Sequence, residues 1–105
     1  MQVYNLADTN SILNQYVAEI RDVHIQSDRM RFRRNIERIG ELMAFEMSKH
    51  LTYSVKQVET PLGVAPSSTP DDQLVVGTVF RAGLPLHTGF LNVFDRADNA
   101  FVSAY

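Results

Sequence analysis

No cysteine occurs among the 105 residues, which excludes disulfides and thiolate metal sites and leaves the redox compartment unconstrained. A surplus of charge is missing too: ten Lys/Arg stand against twelve Asp/Glu, for a net charge of -2. Global attraction to nucleic acid or to an acidic membrane is therefore not expected. No apolar run approaches the roughly 18 residues of a membrane helix. The opening MQVYNLADTN lacks both a charged n-region and an apolar h-region, which argues against secretion, so a soluble cytoplasmic protein is expected. Gly-x-Gly-x-x-Gly, P-loop and nucleophile-elbow patterns are absent, as are repeats and low-complexity tracts. His24, His50 and His87 show no metal-ligand spacing and no carboxylate at a fixed offset. They read as ordinary surface or boundary histidines.

What is present suffices for a core: 45% of the residues are hydrophobic, so the chain is one domain or part of one. A first helix is predicted near residues 10–23, capped by Thr9, Asn10 or Ser11, with Leu13, Tyr16, Val17 and Ile20 on one face. A stronger one runs over 28–50 from a Ser27 or Asp28 cap. Its stripe is Phe32, Ile36, Ile39, Met43 and Met47, widened by Leu42 and Phe45. Gly40 inside that helix costs about 1 kcal/mol relative to alanine unless close packing needs it. Arg33 and Glu37, four apart, support the exposed face. An extended piece covers 53–60, and Pro61 after it suits a strand end or edge. Residues 64–73 (VAPSSTPDDQ) read as a loop.

The run from Leu74 to Phe80 reads as a buried, parallel strand. A helix over 83–94 follows, with Pro85 in its first turn. After a turn at 95–99, Ala100–Tyr105 begins another strand. Strand, helix and strand at this spacing make a βαβ unit, expected to be right-handed.

Two features carry candidate chemistry. Arg81 ends the apolar strand just before a helix start, where a guanidinium fork can hold two phosphate oxygens; Ala82 and Gly83 would let backbone approach the ligand. The competing reading is an arginine paired with a neighbouring carboxylate. The second feature is the cluster Arg29, Arg31, Arg33, Arg34 and Arg38, half of all the Lys and Arg. A nucleic-acid surface looks like this, but Glu37, Glu41 and Glu46 are interleaved, and a solvated or dimer-facing surface is the preferred reading.

Several segments together resemble the uracil phosphoribosyltransferase family. Arg31-Phe32-Arg33 followed by Ile39-Gly40-Glu41-Leu42-Met43-Ala44-Phe45-Glu46 is similar to the family's Phe-Arg pair and Gly-x-Leu-Leu-x-Tyr-Glu run. Glu59-Thr60-Pro61-Leu62 resembles its Thr-Pro-Leu strand end, and Val79-Phe80-Arg81-Ala82-Gly83-Leu84 its Ile-Leu-Arg-Ala-Gly-Leu segment. Ala100–Tyr105 resembles the strand that ends in Gly-x-Tyr.

The resemblance implies an α/β, type I phosphoribosyltransferase-like fold, with two N-terminal helices packed on a partial, mainly parallel sheet. It implies a single incomplete domain over 1–105, helical over 1–50, with the sheet starting over 51–105. The implied reaction converts uracil and phosphoribosyl pyrophosphate to uridine monophosphate and pyrophosphate, with Mg²⁺, in a homo-oligomer. By position, Arg81, Ala82 and Gly83 match the family's pyrophosphate contacts. The family's next arginine, its Asp-x-x-x-Ala-Thr-Gly-Gly-Ser loop and its uracil-recognition segment have no counterpart in these 105 residues. No ligands for Mg²⁺ and no catalytic residue are therefore expected in this chain, which alone should be inactive. The alternative is a non-catalytic regulatory or interaction module on the same half-fold, whose Arg29–Arg38 cluster would bind RNA or a partner helix.

Overall fold

The computed structural model describes residues 2–103. After a 3₁₀ turn at Leu6–Asp8 come helices α1 (Leu13–Arg21) and α2 (Arg29–Ser48), then strands β1 (Tyr53–Thr60), β2 (Gly63–Pro70) and β3 (Val75–Phe80). Helix α3 (Leu84–Val93) and strand β4 (Asp98–Ser103) complete the order. The class is α/β, as expected. Ala104 and Tyr105, where the last strand was expected to end, lie outside the described residues.

Helix α2 starts where its cap dictates: Asp28 Oδ1 accepts the N–H of Arg31 at 3.1 Å. Helix α1 docks through a polar joint. Asn35 of α2, 1% exposed, donates to Glu19 at 3.2 Å and accepts from Arg38 at 2.8 Å. Glu37 pairs with Arg34 rather than Arg33. The stripe on α2 is half-buried at Phe32, Ile36 and Ile39, but Met43, Phe45 and Met47 are exposed. Its closest contact is made by small residues instead, because a Cβ on Gly40 would lie 2.7 Å from the Leu86 carbonyl oxygen of α3. The partner at that crossing is Gly89, whose added Cβ would sit 2.2 Å from the Glu37 carbonyl oxygen. Gly40 is there for close packing.

Residues 64–73 are not the expected loop, since most of them form β2. It pairs antiparallel with β1, from Tyr53 opposite Pro70 to Thr60 opposite Gly63. Pro66 and Pro70 sit an even number of residues apart, so both can take positions whose nitrogen faces away from β1. Asp71 locks the hairpin base, accepting from the Ser54 hydroxyl at 2.7 Å and pairing with Lys56 at 3.1 Å. Both contacts hold the Asp71 carboxyl below its ordinary range, the Ser54 bond most of all.

β3 and β4 pair in parallel, from Val75 opposite Asp98 to Phe80 opposite Ser103. Helix α3 packs on β3 and on α2, so it is the middle layer between sheet and helices. β3 is not buried on both faces as its composition suggests: Val75 is 63% and Val79 54% exposed. Helix α3 covers only one face of the parallel pair, which accounts for the difference. The whole chain exposes 8126 Å², against about 5,900 Å² for a compact chain of this mass. Its radius of gyration is 16.9 Å, against about 13 Å.

Candidate functional site

The three residues singled out by sequence form the turn between β3 and α3. Arg81 and Ala82 are exposed and Gly83 is partly covered. The Phe80–Arg81 peptide bond is cis. The turn is held tight against its own strand, for the Gly83 N–H reaches the Val79 carbonyl at 3.4 Å and Leu84 N–H the Arg81 carbonyl at 3.1 Å. A Cβ on Gly83 would sit 2.2 Å from the Thr78 hydroxyl oxygen. Glycine is therefore the residue that lets helix and strand meet here, with φ at -76° and no positive-φ demand.

Gly83 is also the N-cap of α3, and no side chain caps the helix. The positive end of the helix dipole thus faces the same side of the sheet as Arg81, at the carboxyl end of β3. The ion pairs found among the described residues involve Arg31, Arg34, Lys49 and Lys56 but not Arg81. A guanidinium without an ion-pair partner among the described residues, beside an uncapped helix start, is an arrangement suited to a multiply charged anion.

The arginine cluster is differently engaged. Arg31 binds Glu19 at 3.2 Å, Arg34 pairs with Glu37, and Arg38 lies over the Tyr16 ring at 5.5 Å. Three of its five guanidinium groups thus knit α1 to α2 or pair along α2. Glu19 is held below the ordinary carboxylate range, first by the Asn35 amide, then by Gln15 and Arg31. Of the histidines, His50 stacks on Tyr4 at 4.0 Å. No group of three or more metal-ligating side chains comes together among the described residues.

The uracil phosphoribosyltransferase family model matches residues 7–104, nearly the whole chain. This chain belongs to the uracil phosphoribosyltransferase family. A curated uracil phosphoribosyltransferase from Porphyromonas gingivalis is 59% identical over all 105 residues, which cover 49% of that relative. One from Thermococcus gammatolerans is 33% identical over 104 residues, covering 97% of this chain and 45% of the relative. The chain thus spans about half the length of the curated relatives it matches. A solved protein from Aquifex aeolicus, 22% identical, superposes with a TM-score of 0.75 over 89% of this chain and 44% of its own. That likeness supports the fold.

In this chain one residue next to the turn is not marked by any sequence pattern. His87, taken for a surface or boundary histidine, is only 5% exposed. Its Nε2 lies 2.6 Å from Oδ1 of Asn99, on β4. The two are twelve residues apart, and no local spacing connects a helix residue with a partner on the next strand. The only available signal was the βαβ pattern itself, which brings α3 over the start of β4.

Proposed function

We propose that this chain forms the N-terminal half of a uracil phosphoribosyltransferase catalytic unit and contributes its pyrophosphate-binding turn. Arg81 holds the pyrophosphate oxygens of phosphoribosyl pyrophosphate, the Ala82 N–H adds a donor, and Gly83, whose own N–H is turned to the Val79 carbonyl, lets the turn backbone approach the ligand. The observation that carries this reading is Arg81 at the end of β3, with no ion-pair partner among the described residues, beside the uncapped start of α3. Family membership supports it.

The chemistry follows from charge. Uracil nitrogen displaces pyrophosphate at the ribose carbon and gives up its proton to solvent, the carbon–oxygen bond breaks ahead of the new carbon–nitrogen bond, and negative charge grows on the leaving group. A guanidinium and oriented N–H groups stabilise that charge more than they stabilise the ground state. The family implies Mg²⁺. The turn residues carry no anionic oxygen, so they do not fit a magnesium ion, and their own contribution is cationic and hydrogen-bonding. Uracil recognition and the ribose-phosphate cradle would be supplied by sequence absent from these 105 residues. The chain alone therefore makes no uridine monophosphate. With its extra exposed surface it self-associates, and we place it in the cytoplasm.

Titration of the chain with inorganic pyrophosphate tests the turn. Arg81→Gln should weaken binding by about tenfold or more, the worth of a charge-assisted hydrogen bond. Equal affinity of both proteins would sink the assignment of Arg81. Uracil-dependent nucleotide formed by the pure chain would refute its inactivity.

A further inference from the structure

His87 lies in the second turn of α3, its backbone N–H bonded to the Gly83 carbonyl at 2.9 Å. Its ring is buried between helix and sheet, against Phe101 at 4.9 Å between centroids. Phe101 in turn stacks on Phe80 at 4.8 Å, and Phe80 immediately precedes Arg81. The imidazole Nε2 meets Asn99 Oδ1 at 2.6 Å, while Nδ1 is buried without a partner among the described residues. With Asn99 presenting an oxygen, Nε2–H donates, which in the neutral ring leaves Nδ1 as the nitrogen with the lone pair.

A residue that only filled this space would be cheaper if apolar, because the unpartnered Nδ1 is a desolvation cost. What the imidazole adds is direction. The helix touches α2 at Gly89, and two residues earlier His87 ties it to β4. Two fixed points of this kind set the rotation of α3 about its axis. That rotation decides where the first-turn N–H groups and the Arg81–Gly83 turn stand relative to the sheet.

We propose that His87 is a positioning residue, whose Nε2–H bond to Asn99 fixes the rotation of α3 and hence the placement of the Arg81–Gly83 turn; its consequence for pyrophosphate rests on the function proposed above. Packing and positioning make opposite rankings of two substitutions. His87→Phe keeps an aromatic ring against Phe101 but has no donor. His87→Gln loses the ring but can still donate to Asn99. Packing favours phenylalanine; positioning favours glutamine.

The test is nuclear magnetic resonance of the ¹⁵N-labelled chain, free and titrated with inorganic pyrophosphate. In the parent protein the His87 ring should show a protonated Nε2 and a bare Nδ1. His87→Phe should move the amide resonances of Arg81, Ala82 and Gly83 and weaken pyrophosphate about fivefold, the net worth of one hydrogen bond. His87→Gln should stay within about twofold of the parent. Asn99→Ala, at the exposed end of the same bond, should repeat the His87→Phe shifts and serves if that variant does not fold. The proposal is overturned if the ring carries its proton on Nδ1, or if His87→Phe leaves the three amides unmoved, or if phenylalanine ranks above glutamine. If Arg81→Gln leaves pyrophosphate affinity untouched while His87→Phe still shifts the turn, the positioning role stands and the ligand assignment falls.

Discussion

Substituting Gly89 with alanine should unlatch α2 from α3, and the size of the effect can be worked from the crossing. The new Cβ would meet the Glu37 carbonyl oxygen at 2.2 Å and the Glu41 nitrogen at 3.0 Å. Both obstacles are helix backbone, so no side chain can swing aside, and the helices must part by roughly 1 Å to reach ordinary contact. Overpacking of this kind costs about 1–3 kcal/mol, and rigid neighbours place it at the upper end. Alanine returns about 1 kcal/mol of helix propensity, leaving a net loss of about 1–2 kcal/mol. At about 4–8 °C per kcal/mol for a domain of this size, the midpoint of thermal unfolding followed at 222 nm should fall by about 5–15 °C. Gly77→Ala is the control: its Cβ meets nothing closer than 3.9 Å, and β3 should gain slightly from the smaller backbone entropy loss. A Gly89→Ala protein that melts at or above the parent temperature, with Gly77→Ala behaving as stated, would show that the crossing is not the tight joint described.

Other expectations are as direct. Asn35→Ala removes the buried amide between Glu19 and Arg38 and should cost about 1–3 kcal/mol in urea unfolding; a loss under 0.5 kcal/mol would mean that α1 docks by its apolar face alone. The Asp71 carboxyl titrates below its unfolded value, so the hairpin-base stabilisation is fully present above the ordinary aspartate range and is lost as pH falls through the folded value. The amide protection factor at Ser54, corrected for the intrinsic pH dependence of exchange, should fall in acid in the parent and lose that dependence in Asp71→Asn, whereas the Thr52 N–H is held by Asp72. Sedimentation velocity should show species larger than a monomer at micromolar concentration, given the exposed Met43, Phe45 and Met47 on α2 and the bare face of β3. A single monomeric boundary would count against it.

Much of this architecture was legible wherever its signal was local. The Asp28 cap and the strand–Arg81–helix succession each sit within a few residues of their own cause. Gly40 was legible as a question, since an unneeded glycine in a helix is a cost, but only the fold names Gly89 as the answer. The hairpin was hidden by composition: Pro66, Pro70 and two serines read as a loop, and only the pairing register with β1 makes the prolines harmless. β3 was over-read for the opposite reason. Its valines suit a strand covered on both faces, while only one face is covered by α3. His87 and Asn99 were invisible because their bond depends on how a helix is rotated over a sheet, which no spacing along the chain encodes.

The β1–β2 hairpin makes its dense contacts with itself, and its tip ends in open space. Leu62 is fully exposed, and nothing lies within 4 Å of where a Gly63 Cβ would stand, at a φ of +125°. The tip lies on the far side of the hairpin from the Asp71 lock at its base. A peptide tag or a fluorophore inserted between Pro61 and Gly63 would meet no packed neighbour. The tip is therefore the natural attachment point for a reporter intended to leave the Arg81 turn undisturbed, and the place where chains of this design can differ in length at least cost.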